Sequence, residues 1–141
     1  FAYASLGRNP EAIAEYKKEL AMSGANPELL YQLGHCQLET GDWSQAIAHL
    51  KQSTQLAPNN ADAFYDLGKA LLLQGETQDA IVALRQVITL NAADPSPHYQ
   101  LAKALGKAGN ADEAKLEMQR FSDLKKAQPQ TGGMATGRVQ Q

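Results

Sequence analysis

The sequence lacks most of the features that announce chemistry. It holds one cysteine, Cys36, which excludes a disulfide within the chain and any cysteine-based zinc site. It has no surplus of positive charge: 13 Lys and Arg stand against 15 Asp and Glu, giving a formal net charge of −2. That balance leaves no electrostatic footprint for nucleic acid or for an acidic membrane surface. No apolar run approaches the ~18 residues that span a bilayer. Only three histidines are present, and neither His49 nor His98 has a strong metal-ligand type one helical turn away. His35 and Cys36 are adjacent, so on a helix they point in different directions and share no ion. No Ser-His-Asp or Cys-His grouping emerges from the spacing. Gly132-Gly133 is followed by no Lys-Ser/Thr pair and is not a phosphate loop. The acids, Glu11–Glu15 and Glu113–Glu117 among them, read as solvated helical faces.

The start is also bare. Phe1 to Gly7 contain neither an initiator methionine nor a basic-then-apolar leader. We expect a soluble segment that begins further upstream, so this end carries no information on localisation.

What the sequence does have is a period. Gly7, Gly41, Gly75 and Gly109 are each 34 residues apart, as are Ala12, Ala46, Ala80 and Ala114. Leu33, Leu67 and Leu101 share the interval, and so do Gly34, Gly68 and Ala102, and Leu56, Leu90 and Leu124. Repetition at this length marks a stacked architecture. Leu30, Leu33, Gly34 and Gln37 fall on one stripe of a helix. Gly34, Gly68 and Ala102 lack bulk where two helices must cross closely. Gly41, Gly75 and Gly109 lie at helix ends, where a left-handed cap suits glycine. Asp42 with Gln45, and Asn110 with Glu113, have capping-box spacing. Pro27 and Pro95 follow Asn26 and Asp94, as proline does in a first helical turn.

These residues resemble the tetratricopeptide repeat family. Its pattern is a large residue, then Leu and a small residue in a first helix, Gly at that helix's end, then Ala and a large apolar residue in a second. The sequence supplies Leu30, Leu33, Gly34, Gly41, Ala46 and Leu50, with a closing Pro58. Phe64, Leu67, Gly68, Gly75, Ala80 and Leu84 follow, then His98, Leu101, Ala102, Gly109, Ala114 and Met118. The resemblance implies an all-α fold, a right-handed superhelical α-solenoid of antiparallel helix-turn-helix units. We place units at 27–60, 61–94 and 95–128, a partial unit at 1–26 that keeps Tyr3 from its first helix, and a flexible tail at 129–141. The Gln128–Gly132 stretch is similar to a sortase signal, but it lacks the leading leucine and the apolar span that follows.

In this family the first helices line a concave surface along which peptides lie. Carried over position by position, that surface presents Tyr31, Gln32, His35, Leu38 and Glu39, then Tyr65, Asp66, Lys69, Leu72 and Leu73, then Tyr99, Gln100, Lys103 and Lys107. Tyrosine offers broad amphipathic contact, although at this position it also serves to pack one unit on the next. A carboxamide donates to a peptide carbonyl and accepts from its N–H. His35, Lys69 and Lys103 attract acidic side chains. The lysine-and-asparagine carboxylate clamp of chaperone-binding members is not reproduced, because Asp66 would repel a carboxylate.

The reading that follows is a non-enzymatic adaptor that holds a protein or peptide and needs no cofactor, metal or nucleic acid. Two alternatives remain open: a segment that self-associates through uncapped ends around Phe121 and Leu124, and the recruiting arm of an enzyme whose catalytic domain lies outside this chain. By register Cys36 occupies a small packed position, equivalent to Ala70 and Ala104.

Overall fold

The computed structural model describes residues 9–128; the partial-unit residues before Asn9 and the stretch 129–141 lie outside the described residues. The described residues form seven helices and no strand. They are α1 (Asn9–Ser23), α2 (Pro27–Thr40), α3 (Trp43–Leu56), α4 (Ala61–Gln74), α5 (Thr77–Leu90), α6 (Ser96–Lys107) and α7 (Ala111–Ala127). Each helix packs against the next in the chain, so α2–α3, α4–α5 and α6–α7 are antiparallel hairpins stacked in order. The odd-numbered helices have at most marginal contact with one another, whereas α2 touches α4 and α4 touches α6. The even helices are therefore the inner row of a curved helical-repeat solenoid.

Small residues set the crossings. A Cβ added at Gly34 would stand 2.6 Å from Leu50 Cγ, and one at Gly68 would stand 2.7 Å from Leu84 Cγ. Both leucines are fully buried, so glycine's helix penalty of roughly 0.5–1 kcal/mol is offset by close packing. In the last hairpin, Ala102 and Met118 line one depression, and Met118 remains 41% exposed.

The turns between paired helices are closed by glycine in the left-handed region. Gly41, Gly75 and Gly109 have φ of 87°, 88° and 87°. The following amides of Asp42, Glu76 and Asn110 donate back to the carbonyls of Gln37, Leu71 and Leu105, so the helix ends are satisfied by backbone. This arrangement corrects the capping-box expectation. Asp42 and Asn110 make no side-chain bond to the helices they precede, and their ψ values of 72° and 69° hold the side chains away. The side-chain caps sit between hairpins. Asn26 accepts from the Leu29 amide and Asn60 from the Ala63 amide, both at 3.1 Å. Asp94 accepts from the Ser96 amide at 2.9 Å.

Cys36 packs as expected. It is buried with Ala70 and Ala104, and burial pushes its thiol pKa upward. A polar tie joins the helices of the first full hairpin. His49 Nδ1 donates to the buried Gln37 Oε1 at 2.7 Å, and Gln37 Nε2 donates to Gln45 Oε1 at 3.2 Å.

Candidate peptide-binding groove

The inner row brings the carried-over residues together unevenly. Tyr31 and Tyr65 are half-buried and rest against the core, with outer edges showing; Tyr99 is more exposed and stacks on Phe121 with ring centroids 5.4 Å apart. They therefore pack one hairpin on the next and also present surface. Burial first, then the charges of Asp66, Asp62 and Glu28, pushes the Tyr31 pKa up to about 12. Tyr31 is a neutral hydroxyl at any physiological pH. Burial also raises the Tyr65 pKa.

The lysines are ordered by the tyrosines. Lys69 Nζ stands 5.5 Å from the Tyr65 ring centroid, and Lys103 Nζ stands 5.6 Å from that of Tyr99. A cation over a ring face is held there by the ring quadrupole while its outer hemisphere stays hydrated. Gln100 donates to the Tyr65 hydroxyl at 3.5 Å, a long bond, and Gln32 donates to Glu28 at 3.1 Å within α2. Both amides keep partly exposed faces. Lys69, Leu72, Leu73, Gln100, Lys103 and Lys107 together line a depression of about 200 Å³ between α4 and α6.

Four residues are placed otherwise than the sequence suggests. Asp66 does not face solvent: it is 6% exposed, and its Oδ2 accepts from His35 Nδ1 at 2.8 Å across the α2–α4 contact. Leu72 and Leu38 belong to the buried core, so Leu72 floors the depression and does not stand out from it. His35 is committed as well. Its Nε2 lies 3.3 Å from Glu39 Oε2, and its pKa is raised, chiefly by the hydrogen bond to Asp66. The reason is common to these placements. Neighbouring inner helices lie close enough for side chains to pair across them before any ligand arrives.

One cluster escaped sequence reasoning. His98 and Glu117 are both buried, with His98 Nδ1 donating to Glu117 Oε1 at 2.6 Å, and Arg120 donates to the other Glu117 oxygen. Glu117 is thus no solvated acid. Arg85 and Glu113 pair nearby at 3.2 Å, and the whole set lines a depression of about 440 Å³ bounded by α5, α6 and α7. His98 and Glu117 sit on different helices, so no in-helix spacing signals their meeting.

A curved row of helical hairpins with amides, cations and rings along its inner face defines an interaction scaffold. The chain belongs to the tetratricopeptide repeat family, whose model matches residues 37–75 and 70–109. Among solved structures, "Crystal structure of MamA" is 31% identical, with 89% of this chain and 73% of that chain covered and a TM-score of 0.84. A second MamA structure is 25% identical over 88% of this chain and 68% of that one, with a TM-score of 0.82. MamA 41-end from Desulfovibrio magneticus RS-1 shares the fold at 22% identity, covering 92% of this chain and 73% of that one, with a TM-score of 0.86. A search among curated proteins finds no match.

Proposed function

We propose that the chain is a non-enzymatic adaptor that holds an extended peptide, or an extended segment of a partner domain, along the inner row of α2, α4 and α6. The observation that carries this reading is the strip of half-exposed rings, amides and lysines on that row, with the depression between α4 and α6 toward its basic end. Rings give contact area at low entropic cost. The free faces of Gln32 and Gln100 suit a peptide backbone that needs both donors and acceptors. His35, Glu39 and Asp66 form a pre-paired rung at the α2–α4 contact, where they rigidify the groove.

The test is a binding measurement with a partner identified by affinity capture and then purified. Gln32→Ala combined with Gln100→Ala leaves the buried Asp66 untouched and preserves the fold. Binding weakens by about 1 kcal/mol for each hydrogen bond lost. Hydrogen exchange places the protected amides of the complex on α2, α4 and α6. Unchanged affinity, or protection confined to the odd helices, overturns the groove reading.

A second reading is favoured by the last hairpin. Ala102, Lys103, Ala114, Lys115, Met118 and Gln119 line an apolar depression of about 550 Å³, and Leu116 is 49% exposed. Such a surface suits another helix packed on the last hairpin. Strictly monomeric sedimentation at high protein concentration would count against it.

A further inference from the structure

The groove is not uniform in charge along the stack. Helix α2 contains Glu28 and Glu39 and no Lys or Arg, while α6 contains Lys103 and Lys107 and no Asp or Glu. Helix α4 is intermediate, with Asp62, Asp66 and Lys69. The acidic end is further neutralised, because His35 sits between Glu39 and Asp66. The basic end is not. Among the described residues, none of the ion pairs takes Lys69, Lys103 or Lys107; the nearby acids of α7, Glu113 and Glu117, are engaged by Arg85, His98 and Arg120 on the far side. These three lysines ring the 200 Å³ depression whose apolar wall is Leu72 and Leu73, and Leu73 is 51% exposed. On a chain of net charge −2, this is a local concentration of unpaired positive charge around an apolar notch with room for one aliphatic side chain.

Resting on the groove reading above, we infer that the partner is an extended peptide segment in which acidic residues flank a single aliphatic anchor. The anchor seats against Leu72 and Leu73, and the acids lie over Lys69 on one side and Lys103 and Lys107 on the other. Adjacent inner helices are roughly 8–10 Å apart, and an extended chain advances roughly 3.3 Å per residue. Acids about three residues apart therefore match successive rungs. The charge gradient also fixes position, because an acidic segment that ran on toward α2 would meet Glu28 and Asp62. Lys69 and Lys103 are poised for this role. Each is steered by a tyrosine ring, so less side-chain freedom is lost when a carboxylate arrives.

The test uses the full chain and three fluorescein-labelled peptides, each about nine residues long with blocked ends, read by anisotropy. The first has a central Leu lying between two Glu that stand about three residues apart. The second replaces Glu with Lys, and the third replaces Leu with Ser. The acidic peptide binds, weakens as salt rises, and loses about tenfold when the anchor becomes Ser. Lys69→Glu with Lys103→Glu and Lys107→Glu weakens it by tenfold or more, with the helical circular dichroism unchanged; Lys51→Glu on α3 has no such effect. Equal binding of the basic peptide overturns the inference. So does equal binding of a single-stranded oligonucleotide, or indifference to the triple reversal. If the natural partner is weakened by Gln100→Ala yet indifferent to the lysine reversal, the inference falls while the groove reading stands. If both sets of changes leave the partner bound, both fall.

Discussion

Nδ1 of His35 lies 2.8 Å from Oδ2 of Asp66, across the contact between two inner helices and 31 residues along the chain. With Glu39 on the other ring nitrogen at 3.3 Å, both N–H groups of an imidazolium have a carboxylate to meet. Burial of Asp66 without that partner would leave a charge poorly solvated.

The first prediction uses this pairing. The His35 pKa is raised above 6.5, with the Asp66 hydrogen bond the largest cause. Its stabilising contribution is complete below the unfolded value of 6.5 and is lost as pH rises through the higher folded value. His49 has the opposite sign. Burial and then the Lys17 charge lower its pKa, so stability is lost as pH falls from 6.5 toward that lower value. NMR titration of the ring protons should find the two midpoints on opposite sides of 6.5. Midpoints in the reverse order would refute the assignment.

The crossing positions give the second. Gly68→Leu places side-chain bulk where even a Cβ would lie 2.7 Å from Leu84 Cγ, and should cost roughly 1–3 kcal/mol. Lys107→Leu, exposed at the end of α6, should change stability by less than about 0.5 kcal/mol. Thermal or urea unfolding compares them directly, and equal shifts would reverse the assignment of faces.

Gly75 provides a purely conformational test. Nothing lies within 4 Å of a Cβ built there, but its φ is 88°. Gly75→Ala should therefore cost about 1–2 kcal/mol from backbone strain alone. Gly75→Asn should cost less, because asparagine tolerates the left-handed region better. The order of the two urea midpoints decides.

Glu113 and Glu117 are one helical turn apart and should behave differently. Glu113 is exposed and pairs with an exposed Arg85, so Glu113→Ala should cost no more than about 1 kcal/mol. Glu117 is buried beneath His98 and Arg120. Glu117→Ala should cost about 1–3 kcal/mol, because it leaves the buried imidazole N–H without its acceptor. Equal losses would mean that His98 finds another partner.

The fold was legible because its determinants recur. Gly34 and Gly68 meet Leu50 and Leu84 in the same way, and a constraint stated more than once at a fixed interval can be read from spacing alone. The groove was half legible. Tyr65, Lys69, Tyr99 and Lys103 stand on the inner row because in-helix register fixes which side they take. Asp66 and Leu72 share that register but turn inward, because the approach of α2 and α5 to α4 decides their burial, and helical register does not encode that distance. The Asp42 cap failed for a related reason: the short turn spends the Asp42 amide on Gln37 and turns its carboxylate out. The His98–Glu117 pair depends on how two helices of one hairpin face each other, which no local motif records.

Among the described residues each hairpin touches only its neighbours in the stack, so the core is an elongated row built from neighbour contacts. Its unfolding should run as a zipper from the ends, with α4–α5, flanked on both sides, the last to open. A ligand laid from α2 to α6 would then act as a splint across two separately loosening joints. Even modest affinity would appear as a disproportionate slowing of amide exchange in the outer hairpins, on α3 and α7 as well as on the helices that hold the ligand.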